Sequence, residues 1–246
     1  MKANTEIAVR AAIVMAILVA AKAPAQELDR DGWNVTVAPY LWGAAMDGTA
    51  QIKGRSTAVD LSRSDILDHM DIGGMGTVVA RKGEWGVLAD AVWVELSGSS
   101  TMPPADVFPT LGVFTVQGVR RINPYVDATF GARWTHLNGR VELGAPFNLE
   151  VEKSRDWVDP TVGVVLHAPL TGRVHASLMA DVGGFGVGSD FAWQVFPTAG
   201  VDITRHASVE LGWRILDENY ATGDGADRFE YDMRLQGPAA GLAFRF

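Results

Sequence analysis

The sequence has 246 residues, 48 % of them apolar, with 27 Gly, 8 Trp, 10 Phe and no Cys. That is enough apolar material for one large β domain or barrel, and the missing Cys excludes disulfides, thiolate zinc sites, thiol nucleophiles and acyl-Cys anchors. The net charge of −8 falls to −10 when residues 1–25, with three cations and one anion, are set aside, and so acidic a chain argues against a nucleic-acid partner.

Residues 1–25 read as a secretory signal. Lys2 and Arg10 make a basic start, 11–21 is an apolar run too short to span a bilayer, and Ala23-Pro24-Ala25 is an A-x-A cleavage site. The mature chain, 26–246, is expected to be one β-barrel domain. It opens with a strand at 33–41. There Trp33, Val35, Val37, Pro39 and Leu41 share one face, and Asn34, Thr36, Ala38 and Tyr40 share the other. The polar region 43–71 follows, with a hairpin turn expected at Asp47-Gly48 and a helical turn at 64–68 capped by Ser64. Its segment 49–61 is assigned to the first outer loop, because a further span there would make the strand count odd.

Strands are then expected at 72–81, 85–96, 112–121, 125–138, 157–168, 174–182, 191–203, 207–215 and 229–246. Most alternate apolar with polar or small residues, as membrane barrels do. In 125–138, for example, Val126, Ala128, Phe130, Ala132 and Trp134 oppose Asp127, Thr129, Gly131, Arg133 and Thr135. Connections alternate short (82–84, 123–124, 169–172, 204–206) with mostly longer ones. The prediction is therefore an all-β, closed antiparallel transmembrane barrel of about ten strands, with 8 or 12 possible. Short periplasmic turns and longer outer loops complete it, and both termini lie at the periplasmic end. The last strand changes parity: Phe229, Tyr231, Met233 and Leu235 are odd, whereas Pro238, Ala240, Leu242, Phe244 and Phe246 are even. Either a β-bulge at Gly237-Pro238 restores one face, or the upper half stands clear of the bilayer.

The polar face defines a candidate lumen: Asp90, Asp127, Arg133, Asp159, His167, His175, Asp181, Asp202, Glu210 and Arg214, with Arg81, Arg121 and Arg245 beside them. These groups fit a charged pore or a lumen filled by its own ion pairs, which a narrow barrel favours. His136 and Asp156 flank an outer loop, and His69 lies with Asp68 and Asp71 in another. Neither set has the spacing of a base and its orienting partner, so no catalytic residue is assigned. Asp217, Glu218, Asp224, Asp227, Glu230 and Asp232 read as a solvated acidic loop rather than a calcium site. The run 183–188 reads as a strand end needing close approach, since it lacks the Lys and helix of a phosphate loop. The Trp residues read as girdle anchors. No metal or cofactor is implied.

The ending Gly241-Leu242-Ala243-Phe244-Arg245-Phe246 resembles the C-terminal assembly signal of the small Gram-negative outer-membrane barrels, the OmpA-like and OmpW-like group. Gly241, Phe244 and Phe246 carry it. Pro39-Tyr40-Leu41-Trp42 and Asp181-Val182-Gly183-Gly184-Phe185 add to the likeness. The resemblance implies insertion by the outer-membrane assembly machinery, with membrane lipid and lipopolysaccharide as surroundings and a monomer by default. The expected function is non-enzymatic: a structural barrel or a narrow passive path for ions and small solutes. Binding or adhesion through the outer loops is the alternative, and an enzyme comes after it.

Overall fold

The computed structural model describes residues 32–52, 55–62, 64, 66, 70–101, 104–143, 149–224 and 228–246. The proposed signal, 1–25, and His69 with Asp68 lie outside the described residues. Among the described residues there are thirteen strands: β1 (Trp33–Trp42), β2 (Ala45–Ile52), β3 (Arg55–Leu61), β4 (Met70–Lys82), β5 (Trp85–Leu96), β6 (Gly98–Thr101), β7 (Pro104–Asn123), β8 (Val126–Leu143), β9 (Leu149–Pro169), β10 (Val174–Gly184), β11 (Phe191–Asp202), β12 (Ala207–Thr222) and β13 (Phe229–Arg245). Ten of them, β1, β4, β5 and β7 to β13 without β6, form a closed antiparallel barrel.

Closure runs from Thr36↔Arg245 to Trp42↔Ala239. Below it the Phe246 amide donates to the Val35 carbonyl at 2.8 Å, and the Val35 amide donates back at 3.1 Å. The last residue is therefore inside the ladder, and this end of the sheet has no free edge.

Side-chain alternation turns each strand into two surfaces. Outward positions carry Val116, Phe130, Val162 and Leu211, each half exposed or more. A backbone fully paired within a closed wall, beneath an apolar exterior, is what a hydrocarbon layer requires. Inward positions are polar or small near the short turns and become apolar near the long loops.

Several boundaries differ from the sequence-based expectation. Within the stretch 97–110, expected as loop, β6 pairs with the start of β7 from Gly98↔Val107 to Thr101↔Pro104, and β8 and β9 run on to Leu143↔Leu149. These walls pair beyond the bilayer, where no lipid demands an apolar face, so alternation fades while the strands continue. The hairpin in the first outer loop is β2–β3, paired up to Ile52↔Arg55, and it does not turn at Asp47-Gly48. Asp47 and Gly48 pair within the strand, with Asp60 and Val59. β2 continues upward from β1 along β13, from Gln236↔Ala45 to Phe229↔Ile52. Of the expected helical turn, Ser64 and Ile66 are described, and the Ile66 amide donates to the Ser62 carbonyl at 3.1 Å.

No bulge exists at Gly237-Pro238: the β12–β13 register is unbroken from Ala207↔Phe244 to Thr222↔Phe229. Odd residues of β13 face the lumen throughout. Tyr231, Met233 and Leu235 are buried inside the barrel, so the parity change marks a change in what fills the lumen, not a kink.

Candidate functional site

The lumen is the part of the molecule that collects chemistry. Four zones follow one another from the short-turn end. The first is an ion-paired mouth. On one arc Arg81 bonds both oxygens of Asp127, which also accepts from His167 at 2.9 Å and lies 3.5 Å from Arg121. On the other arc His175 lies 2.8 Å from Glu210, Arg245 lies 2.6 Å from Asp202, and Ser208 donates to Glu210 at 2.6 Å.

Above the mouth comes an apolar zone of Val79, Leu88, Val119, Val165, Met179 and Phe196. Of these, Val79, Leu88, Val165, Met179 and Phe196 line a cavity of about 640 Å3 that reaches the mouth and the turn at 169–172.

The third zone is a hydrogen-bonded ionic layer. Arg214 pairs with Asp90 at 2.7 Å, donates to Gln194 at 2.7 Å and bonds the Tyr40 hydroxyl. Tyr40 and Thr77 donate to Asp90 at 3.0 and 2.8 Å. Gln194 donates to Asp181 at 3.0 Å, Asp181 pairs with Arg133 at 2.6 Å, and Arg133 reaches Thr115 at 3.3 Å. Side chains from β1, β4, β5, β7, β8, β10, β11 and β12 thus form one connected network. Beside it Gln117 of β7 donates to Thr161 of β9 at 3.0 Å. Arg133 and Arg214 are fully buried. Two charges so far from water are tolerable only because each meets a carboxylate and further hydrogen-bonding groups.

Two more carboxylates extend the polar layer. Glu218 accepts from Thr135 at 3.0 Å. Asp159 accepts from the Ser189 amide and hydroxyl at 2.6 and 2.7 Å. The Gly-rich turn makes the latter possible. Gly184, Phe185 and Gly186 all have positive φ (89°, 54° and 74°), and a Cβ at Gly188 would stand 2.6 Å from Asp159 Oδ1. The fourth zone is an aromatic and aliphatic cap at the long-loop end. Trp157 stacks on Tyr220 with centroids 4.3 Å apart and packs against Tyr231 at 5.5 Å, among Val92, Val94, Val113, Met233 and Leu235. Trp42 joins it from below, with the Arg214 guanidinium 5.0 Å from its ring.

All ten of the lumen residues expected from alternation have inward positions. Asp127, His167, His175, Asp202 and Glu210 sit at the mouth, and Asp90, Arg133, Asp159, Asp181 and Arg214 sit in the ionic layer. Arg81 and Arg121 join the Asp127 cluster, and Arg245 joins the Asp202 cluster. Gly241 faces Tyr40, and a Cβ there would lie 2.7 Å from Tyr40 Cβ. Phe244 and Phe246 point outward, Phe246 with 77 % exposure.

Glu218 is a correction. The sequence groups it with an acidic loop, yet it is wholly buried in the lumen, and its neighbour Asp217 pairs with Arg234 at 2.6 Å. The signal was available: even positions of β12 face inward from Ser208 onward, and 218 continues the series. Tyr40, Gln117 and Gln194 were also missed, since neutral side chains do not stand out in an inward list. Trp42 and Trp157 are interior residues rather than girdle anchors; Trp33 and Trp85 are exposed near the short turns. On the outer wall His136 Nδ1 lies 2.7 Å from Asp156, which also accepts from Trp134 at 3.1 Å, and Trp93 stacks on His136. Among the described residues no group of three His, Asp or Glu is placed to hold a metal.

No family model and no curated protein sequence matches this chain. Similarity appears at the level of solved structures. The outer-membrane protease OmpT of Escherichia coli aligns with 90 % of this chain and 99 % of its own, at 9 % identity and a TM-score of 0.51. Ail, the attachment invasion locus protein of Yersinia pestis, aligns with 88 % and 99 % at 11 % identity and a TM-score of 0.43. Neisserial surface protein A aligns with 88 % and 100 % at 11 % identity and a TM-score of 0.36. At such identities the likeness is one of fold, and the fold is that of a small Gram-negative outer-membrane barrel.

Proposed function

We propose that this chain is a non-enzymatic structural barrel of the Gram-negative outer membrane whose lumen is closed to solutes. One observation carries this reading: the connected Asp90–Arg214–Gln194–Asp181–Arg133 network crosses the barrel at mid-height, with both arginines fully buried. A passive path needs a continuous water column, and the aromatic cap above this network would interrupt it a second time. Barrels of about eight strands are just wide enough to be filled by their side chains, and ten strands with Arg, Trp and Tyr inside reach the same end. A catalytic role draws no support from the His136–Asp156 pair. Among the described residues its neighbours Trp93 and Trp134 offer aromatic faces and no nucleophile.

The test is planar-bilayer recording of refolded 26–246, with heat-modifiable gel migration to verify folding. Silence from a folded barrel is the expected result, and stable salt-dependent steps would overturn closure. Arg133→Ala/Arg214→Ala combined with Trp157→Ala is expected to conduct if it folds, because it removes both cations that bridge the lumen and the stacked ring of the cap above them.

A second reading is favoured by the length of one wall. β7, β8 and β9 have 20, 18 and 21 residues, against the ~9–11 that cross a bilayer. They form a paired sheet projecting from the long-loop end, a surface suited to binding. Shortening β7–β9 above Leu137 should abolish any cell or matrix attachment while leaving the barrel folded; attachment that survives the deletion would remove this reading.

A further inference from the structure

The cavity below the ionic layer is walled mainly by apolar side chains, yet one polar pair on its wall has a proton to give. Val79, Leu88, Val165, Met179 and Phe196 form its apolar part. Tyr40 bounds it towards the ionic layer, donating to Asp90 and bonded by Arg214. The space exists because the β1–β13 wall is built from small residues at this level: Ala38, Ala239, Gly241 and Ala243. About 640 Å3 stays open between these walls. That volume lies within the range of small-molecule sites, ~300–1,000 Å3, which are apolar pockets with a few placed polar groups.

The polar pair is Ser177 and Thr198. They lie opposite each other on β10 and β11, with hydroxyl oxygens 2.7 Å apart. Two hydroxyls carry two protons, and the bond between them uses one. The second proton belongs to whichever hydroxyl accepts, so the pair presents one donor to the cavity. Tyr40 and Thr77 differ, because both spend their protons on Asp90. The next rung inward from Ser177–Thr198 is Met179↔Phe196. One hydrogen-bond donor thus stands directly beside the apolar part of the cavity. A ligand oxygen that accepts from it places the rest of the molecule against Met179 and Phe196. A charged group in that position would lose its water to an apolar wall, which is costly.

We propose that this cavity binds an uncharged, mainly apolar small molecule through one acceptor oxygen, a carbonyl or an ether. The oxygen accepts from the Ser177–Thr198 pair, and the apolar body lies against Met179 and Phe196. The inference rests on the ionic layer closing the lumen above this space, and the two are separable. Conductance reports on the ionic layer, and occupancy of the cavity reports on the space beneath it.

The probe is benzophenone, an uncharged ketone whose photoexcited carbonyl inserts into nearby C–H bonds. Barrel in nanodiscs is irradiated over a range of probe concentrations, and adducts are located by peptide mass spectrometry. Met179 is buried and faces the lumen, so probe dissolved in the lipid labels outward residues instead. A Met179 adduct that saturates with concentration is expected. Ser177→Ala/Thr198→Val removes the donor and should raise the half-saturating concentration about fivefold. Protection of Met179 by diphenylmethane, which has the same shape without the oxygen, should not change in that variant. Benzoylbenzoate should label Met179 about tenfold less well, because its carboxylate must be desolvated. Ala38→Phe should abolish the adduct by filling the space. Ala243→Leu serves the same purpose if that variant does not fold, each being checked by heat-modifiable migration. Absent or unsaturable labelling of Met179, equal labelling by benzoylbenzoate, an unchanged half-saturating concentration without the hydroxyls, or an undiminished adduct in a folded cavity-filled variant would overturn the proposal. A barrel that conducts yet shows the saturable adduct would overturn the closed lumen and leave this site standing.

Discussion

The buried charges show most directly how single residues hold this molecule together. Arg133 and Asp181 are both wholly buried at the side chain, with 2.6 Å between them. Removing one partner leaves the other charge uncompensated, so Asp181→Leu should destabilise the barrel by about 3–5 kcal/mol. The double variant Arg133→Met/Asp181→Leu should recover most of that loss, because it removes the stranded charge as well. Urea titration of the barrel in lipid vesicles, followed by Trp fluorescence, reads both. A double variant no more stable than the single one would mean that the pair does more than satisfy itself. Gly188 is the second case. Its missing Cβ lets Ser189 approach Asp159, so Gly188→Val should strand a buried carboxylate and cost about 1–3 kcal/mol, measured in the same titration.

At the scale of the strand, two faces obey two solvents. Val162 is outward and half exposed, whereas Thr198 faces the cavity. Val162→Arg places a cation against lipid and should cost about 2–4 kcal/mol if it lies near the bilayer midplane. Thr198→Lys points its ammonium into the cavity that opens at the ion-paired mouth, and should cost much less. Comparing unfolding midpoints of the two variants tests the facing directly; equal losses would contradict it. β13 explains why facing was harder to read near the long loops. Below Gly237 its even residues face lipid and are apolar. Above it the odd residues Tyr231, Met233 and Leu235 are apolar and still face inward. Hydrophobicity reports burial from water, and both lipid and a packed lumen provide that. Alternation therefore identified the strand but could not say which apolar set met lipid. The inward course of Glu218 was obscured for the same reason, since Leu216 beside it on the inward face is apolar.

For the molecule as a whole, closure depends on β1 and β13 over Thr36↔Arg245 to Trp42↔Ala239, with the terminal Phe246 in the ladder. The β2–β3 hairpin adds pairing only above this seam. Replacing residues 45–61 by a short Gly-Ser linker should therefore leave a folded, heat-modifiable barrel, and loss of that migration would show that the hairpin is part of the closure.

Period-two alternation, the spacing of turns and the C-terminal aromatic strand were enough by themselves to determine an all-β barrel of about ten strands, with 8 or 12 left open, and both ends on one side. Each is a local property, written in consecutive residues by the pleat and by the apolar exterior. The charged inward residues were legible for the same reason: a polar group facing away from lipid must point into the lumen. What those residues do to one another was decided only when the sheet closed. Tyr40 and Arg214 are 174 positions apart in the chain and meet across the barrel, and Thr135 reaches Glu218 over 83. Such pairings depend on the number of strands and on how far each is staggered against the next, which fix the height at which every side chain enters the interior. The same geometry decides that the space over Ala38 and Ala243 stays open while the layer above it is filled.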